Sequence, residues 1–379
     1  MINLRNKKWL LLLGAVLLIT IGCEGPDGKD GADGKDGADG ADGLAGADGA
    51  DGNVTCLVCH NNETLAQTQY EFAVSQHSSG DIAVSYAGGR SYCNRCHSHE
   101  GFVNFTNEYT PANVSNPSPW KCATCHNIHT TFEKEDYALR TTDAPALFDS
   151  GYNFLLKGVS QIHSPVQTID VQGNSNLCAN CHQSRRAEPN TASPGETFTI
   201  TSTHYGPHHG AQANVLAGVG FAEIDGSYDY PTAESSTHLT GVSCVGCHMG
   251  EYEKGTGGHS FEPSVANCTD CHTGITDFDW NNVQTETQAL LDELRDLLLD
   301  KGILEQEVEE KYEVDPETGD IVKVLTTGGY HPVKGTYDMA LVQAFFNWVG
   351  LEEDRSQGVH NPAYFKALLN NSIEAVEAL

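Results

Sequence analysis

Six times in 379 residues, two cysteines stand three positions apart with a histidine directly after the second. The six are Cys56–Cys59–His60, Cys93–Cys96–His97, Cys122–Cys125–His126, Cys178–Cys181–His182, Cys244–Cys247–His248 and Cys268–Cys271–His272. Two thiols at this spacing can form thioethers to the two vinyl groups on one edge of a porphyrin, and the adjacent imidazole is then delivered to one face of the iron. The motifs use twelve of the thirteen cysteines. A disulfide framework would not place a histidine after every pair, and six units that each end in histidine fit paired zinc ribbons poorly. The expected cofactors are six covalently bound haem c groups, with His60, His97, His126, His182, His248 and His272 as proximal iron ligands.

An iron that only carries electrons needs a sixth ligand. Seventeen histidines less six proximal ones leave eleven. Methionine would raise the potential, but the chain has only Met1, Met249 and Met339. Met249 directly follows His248 and cannot turn to the opposite face of the same haem. Bis-histidine ligation is therefore the default. The candidates are His77, His129, one of His208 and His209, His238, His259 and His360; His99, His163, His204 and His331 are weaker. Sequence leaves open which of them serves which iron.

Positioning these groups falls to very little polypeptide. Residues 53–275 hold all six motifs, roughly 36 residues for each. Haems are expected to form much of the core there, with short helices and long loops wrapped around them. The fold class read from this is mainly α with extensive loops, organised by haem, with little β. Residues 71–77 read as a short helix ending near Gly80. The region 276–379 reads as a helical cap. One helix is expected from about Gln284, with Leu290, Leu291, Leu294, Leu297 and Leu298 on one stripe and Gly302 as its stop. An acidic stretch follows, with turn signals at Asp315, Pro316 and Gly319. A second helix is expected from Tyr337 to Val349, carrying Leu341, Phe345 and Trp348. A third has Asn361 as cap and Pro362 in its first turn, with Tyr364, Leu368 and Ile373 on its apolar face.

The amino terminus reads as an export signal. Arg5, Lys7 and Lys8 precede thirteen residues, Trp9 to Ile21, that are apolar but for Gly14 and Thr20. That run is short for a membrane span and suits a signal-peptide core. It ends at Cys23, the one cysteine the haem motifs leave over, in a stretch that resembles a bacterial lipobox. Residues 1–22 are thus read as a lipoprotein signal peptide and Cys23 as the lipidated residue; the alternative is an ordinary secretory signal cleaved nearby. Nine Gly-X-Y triplets then run from Gly25 to Asp51, eight of them with Asp at Y. The period is that of collagen, which would make a trimeric stalk. The scarcity of proline and the stacked aspartates favour a charged, extended tether over residues 23–52. The formal net charge is −30, with −7 in residues 24–52 and −9 in residues 291–320. Such a chain is a poor partner for nucleic acid.

Several segments resemble multihaem c-type cytochromes of exported bacterial respiratory chains: Gly206-Pro-His-His-Gly210, Gly241-Val-Ser-Cys-Val-Gly-Cys-His-Met249, Gly257-Gly-His-Ser-Phe261 and Gly358-Val-His-Asn-Pro362. A more distant resemblance is to the superfamily of cytochrome c-554 and the pentahaem nitrite reductases. It implies closely packed haem pairs, and distal ligands drawn from loops that hold a different haem. Two functions follow from different classes. In the first, every iron is six-coordinate and the protein relays electrons at a bacterial envelope surface, extracellular acceptors included. In the second, one haem is open and acts on a small nitrogen or sulfur species. The nitrite reductases mark that haem with lysine in place of the motif histidine, whereas here every motif ends in histidine, which favours the relay. The partners implied are other redox proteins or cytochromes, and a membrane through the lipid anchor. A trimer through the Gly-X-Y stretch and a filament of haem-bearing subunits are the assemblies the sequence raises. The location implied is the outer membrane, on its periplasmic or cell-surface side.

Overall fold

The computed structural model describes residues 62–107, 112–127, 139–147, 168–189, 196–314 and 316–379. Cys23, the Gly-X-Y triplets, the first motif (Cys56, Cys59, His60), His129 and His163 lie outside the described residues. The described residues belong to one compact unit.

The stretch that bears the motifs is built from short elements. Helix α1 spans Asn62–Ala73, α2 Asp81–Ala87 and α3 His99–Thr106; single turns such as Gln76–Ser79, Asn94–His97 and Cys122–Cys125 lie between or after them. The helix expected to end near Gly80 is two pieces, α1 and the Gln76–Ser79 turn, and Gly80 closes the second at φ +64. Strand β1 (Thr197–Ile200) and helix α4 (Gln212–Ala217) follow, with long irregular connections around them. Among the described residues before 190, few apolar side chains are buried: Val84, Ala87, Phe102, Leu147, Ile169, Val171 and Ala179.

The carboxy-terminal part holds the conventional core. Helix α5 spans Val283–Asp300, with Leu291, Leu294 and Leu298 buried along one stripe. Helix α6 is Met339–Asp354 and α7 is Pro362–Glu377. Phe345, Trp348, Leu351, Tyr364, Phe365, Leu368 and Val376 pack with that stripe, joined by Ile200, Val215 and Phe221 from the motif region. Full burial of each such side chain is worth about 1.5–3 kcal/mol. Polar ties fix the register: Trp348 Nε1 donates to the Leu291 carbonyl at 2.9 Å, and Asn347 donates to the Ala222 carbonyl at 2.8 Å and accepts from its amide at 2.9 Å. Asn361 caps α7, its Oδ1 accepting from the Tyr364 amide at 3.3 Å.

The region is not purely helical, which corrects the expectation of little β. The acidic stretch forms strand β2 (Leu304–Val314), paired antiparallel with β3 (Ile321–Pro332), Leu304 opposite Pro332 and Val314 opposite Ile321. The turn signals near Pro316 and Gly319 are the hairpin turn. The charge pattern hid the strands: Glu305, Glu307, Glu310 and Glu313 mask a run rich in β-branched and aromatic residues, continued by Ile321, Val322, Thr326 and Thr327. A shorter pair joins β1 to β4 (Gly335–Asp338) and leads into α6, whose first turn Asp338 caps. Among the described residues no helix is long and apolar enough to cross a membrane.

Candidate haem-binding site

The described motifs sit on single helical turns tied down by polar side chains. In the second, Asn94 Nδ2 donates to the Ala112 carbonyl at 2.8 Å, and Gly101 crosses so close that a Cβ there would lie 2.2 Å from the Asn94 carbonyl oxygen. In the third, Thr124 Oγ1 accepts from the Lys121 amide at 2.8 Å and meets His99 Nδ1 at 2.7 Å. In the fourth, Asn176 accepts from the Val171 amide at 2.9 Å and donates to the Thr142 carbonyl at 3.1 Å. The fifth is anchored to the fourth, with the Val245 amide on Ser175 Oγ at 3.1 Å. The sixth is anchored to the fifth, with Asn267 Nδ2 on the Cys247 carbonyl at 3.0 Å.

All five described motifs open onto one cavity of about 1980 Å³, which His77, His208, His238, His259 and His360 also line. A site for one small ligand encloses about 300–1,000 Å³, so this space is on the scale of several. Each of those five histidines faces a different motif histidine. The ring centres are 6.1 Å apart for His77 and His182, 6.0 Å for His97 and His208, 6.4 Å for His126 and His259, 6.0 Å for His238 and His272, and 6.3 Å for His248 and His360. Two metal–imidazole bonds of about 2 Å each, with roughly 1 Å from nitrogen to ring centre on either side, put the centres of two trans imidazoles about 6 Å apart. The two rings share the metal axis, so the angle between their planes is free. The residues present therefore fit an iron gripped from both faces.

The remaining histidines behave differently. His209 turns to Glu353, 2.9 Å away, and its ring lies 5.0 Å from His208. His99 is held by Thr124. His331 reaches Glu307 at 3.0 Å and lies 6.5 Å from His204. None of these contacts involves a motif histidine.

Burial prepares the paired rings as metal donors. It draws His97, His182, His248 and His259 below the ordinary imidazole value, His77 to about 4 and His208 to about 3. Each is neutral at pH 7, the state that binds iron. For His360, burial acts in the same direction, but the Asp354 carboxylate overrides it and raises the value. Burial also pushes the thiols of Cys125 and Cys247 up to about 11.

Second partners orient the rings. His238 Nδ1 lies 2.6 Å from the Val359 carbonyl, His248 Nδ1 2.8 Å from the Phe261 carbonyl, His182 Nδ1 3.2 Å from Gln212 Oε1 and His360 Nδ1 2.7 Å from Asp354 Oδ1. Glu71 Oε2 accepts from the His259 amide at 2.9 Å and lies 3.7 Å from its ring nitrogen. His77 is wedged edge-on between Trp120 and Phe261, with ring centres 5.4 and 4.9 Å away. Sequence reasoning passed over Glu71, Gln212, Phe261 and Asp354. Glu71 and Gln212 act on residues 188 and 30 positions away, Phe261 acts through its carbonyl and Asp354 across the end of a helix, and none belongs to a motif.

No family model matches the chain. It is 25% identical over 334 residues to the C-type polyheme cytochrome OmcB of Geobacter sulfurreducens, covering 76% of this chain and 44% of that one. It is also 25% identical over 335 residues to the C-type polyheme cytochrome OmcC of the same organism, covering 76% and 43%. The chain thus spans under half the length of these relatives. The crystal structure of the outer cell wall cytochrome OcwA superposes with a TM-score of 0.47 at 16% identity, over 82% of this chain and 50% of that one. The chain is a distant relative of polyhaem c-type cytochromes.

Proposed function

We propose that the chain is an exported electron carrier that binds six haem c groups and holds each iron between two histidines. The observation that carries this reading is the set of five histidine pairs. Each joins one motif residue to one residue outside the motifs, with ring centres 6.0–6.4 Å apart. The assignment that follows is His208 opposite His97, His259 opposite His126, His77 opposite His182, His360 opposite His248 and His238 opposite His272. The first motif completes the count with His60, and His129 is its candidate partner. Bound haem supplies one-electron exchange at the iron. The chain would supply two imidazoles for each iron and the cysteines for the thioethers.

The proposed organisation is a signal peptide over residues 1–22, a lipidated Cys23 with the Gly-X-Y tether to residue 52, the haem region 53–275 and the cap 276–379. A lipid anchor and an acidic tether would present the relay at the outer membrane to other cytochromes or to acceptors beyond it.

Mass spectrometry of the mature protein is expected to find six haem additions, and low-temperature EPR of the oxidised form only low-spin ferric haem. A stoichiometric high-spin signal, or turnover of nitrite or hydroxylamine with a reduced dye, would reassign the protein to catalysis.

A further inference from the structure

The paired sites differ in what the second ring nitrogen touches. His360 Nδ1 meets Asp354, whose side chain is wholly buried and whose other carboxylate oxygen accepts from Ser356 Oγ. Asp354 ends helix α6, where the helix dipole opposes a negative charge, so the carboxylate depends on those two donors. Across the same site, His248 has the Phe261 carbonyl. At the His77–His182 site the partner of His182 is a neutral amide oxygen on Gln212. At the His97–His208 site, Nδ1 of His97 is buried with no hydrogen-bond partner among the described residues. Arg185 lines the same cavity, and its backbone amide is tied to the Pro207 carbonyl beside His208 at 3.1 Å; its charge works in the same direction as burial on both rings. An acceptor on the second nitrogen makes an imidazole a stronger donor and stabilises the oxidised metal, most of all when the acceptor is a carboxylate. A cation beside an unpartnered ring has the opposite effect.

These three sites are neighbours. Cys96 Sγ lies 3.7 Å from the Asn180 carbonyl and Cys181 Sγ 3.9 Å from the Arg95 carbonyl, a reciprocal contact between the second and fourth motifs. The Val245 amide donates to Ser175 Oγ at 3.1 Å, joining the fifth motif to the segment of the fourth. Cys96 and Cys181 are thioether positions in the proposed reading, so groups held at the second and fourth motifs would be neighbours.

We infer that Asp354 and Arg185 set opposite ends of a potential gradient across three adjoining sites: His248–His360 is the most reducing, His77–His182 intermediate and His97–His208 the most oxidising. The inference rests on the electron-relay reading and gives that relay a direction. One electron leaves a ferrous iron at the first site and reduces a ferric iron at the last, with no bond made or broken and no other reactant needed.

The test is a potentiometric titration of the holoprotein, monitored by EPR so that the low-spin signals are resolved, on the wild type, Asp354→Asn and Arg185→Gln. Asp354→Asn is expected to move the most negative of the three transitions upward and leave the most positive in place. Arg185→Gln is expected to move the most positive transition downward and leave the most negative in place. Movement of the other transition, or of none, overturns the gradient. Should Asp354→Asn fail to take up full haem, Ser356→Ala serves instead. It removes a competing donor from the carboxylate and is expected to shift the most negative transition further down; an upward or absent shift counts against the inference. A wild type that lacks low-spin signals would instead sink the bis-histidine reading itself, before any potential is compared.

Discussion

At the scale of single residues, the site separates histidines that look alike in sequence. His208 and His209 are adjacent and both lie by a loop glycine, yet only His208 faces a motif histidine, while His209 bonds to Glu353. The backbone decides this. His208 sits at φ +74, a conformation uncommon for a residue with a side chain, and that twist sends consecutive side chains to different partners. Replacing a true distal ligand should open one iron. His238→Ala, which removes the ring 6.0 Å from His272, is expected to add a high-spin ferric EPR signal equal to one haem. His209→Ala is expected to leave the low-spin spectrum unchanged. Equal responses from the two variants would overturn the assignment. Cysteine spacing and residue counts raise the motif histidines and the pool of distal candidates from the sequence. The pairing could not be read there, because His77 and His182, or His97 and His208, are brought together only by the folded chain. Glu71 was invisible for the same reason, since it and His259 lie 188 positions apart.

At the scale of elements, the helices were readable where amphipathic period and caps agreed. The α5 stripe of Leu291, Leu294 and Leu298, and the Asn361 cap with Pro362 behind it, are sequence signals that packing reinforced. Leu294 is fully buried in the core between α5, α6 and α7. Leu294→Ala is expected to cost about 2–5 kcal/mol, and Asn361→Ala about 1 kcal/mol, both read from the denaturant midpoint of the helical signal with haem spectra as a control. The hairpin was missed because no face of it is buried along most of its length. Val308, Tyr312, Val314, Ile321 and Leu325 are more than half exposed, so the inside–outside alternation that marks a strand is absent. Its base is fastened by buried Leu304 and by Tyr330, which meets Trp348 edge-on with ring centres 5.7 Å apart. Replacing residues 308–326 with a short glycine turn is therefore expected to preserve both haem content and the helical unfolding midpoint. A loss of haem would show that the hairpin helps to hold the cavity.

At the scale of the whole molecule, two kinds of core share one compact unit. The carboxy-terminal helices bury a continuous set of large apolar side chains with ring and methyl contacts on all sides. The second and third motifs, by contrast, stand around a cavity with Val84, Ala87 and Phe102 as the nearest buried apolar side chains in sequence. Ordering a residue costs about 1–2 kcal/mol in backbone entropy. Among the described residues of 62–127 few apolar groups are buried to offset that cost, and in the haem-binding reading porphyrin faces and iron–histidine bonds would supply the order. The helices α5, α6 and α7 meet the cost from their own side chains. Exported protein in which the motif cysteines are replaced by serine is thus expected to divide in hydrogen exchange. Amides of α5, α6 and α7 should remain protected, because Leu294, Phe345 and Phe365 still pack together. Amides of α1, α2 and α3 should exchange at nearly unfolded rates, and protection should return only in protein with haem attached. Uniform protection without haem would mean that the polypeptide alone specifies the motif region, and uniform loss would mean that the cap too depends on the cofactor.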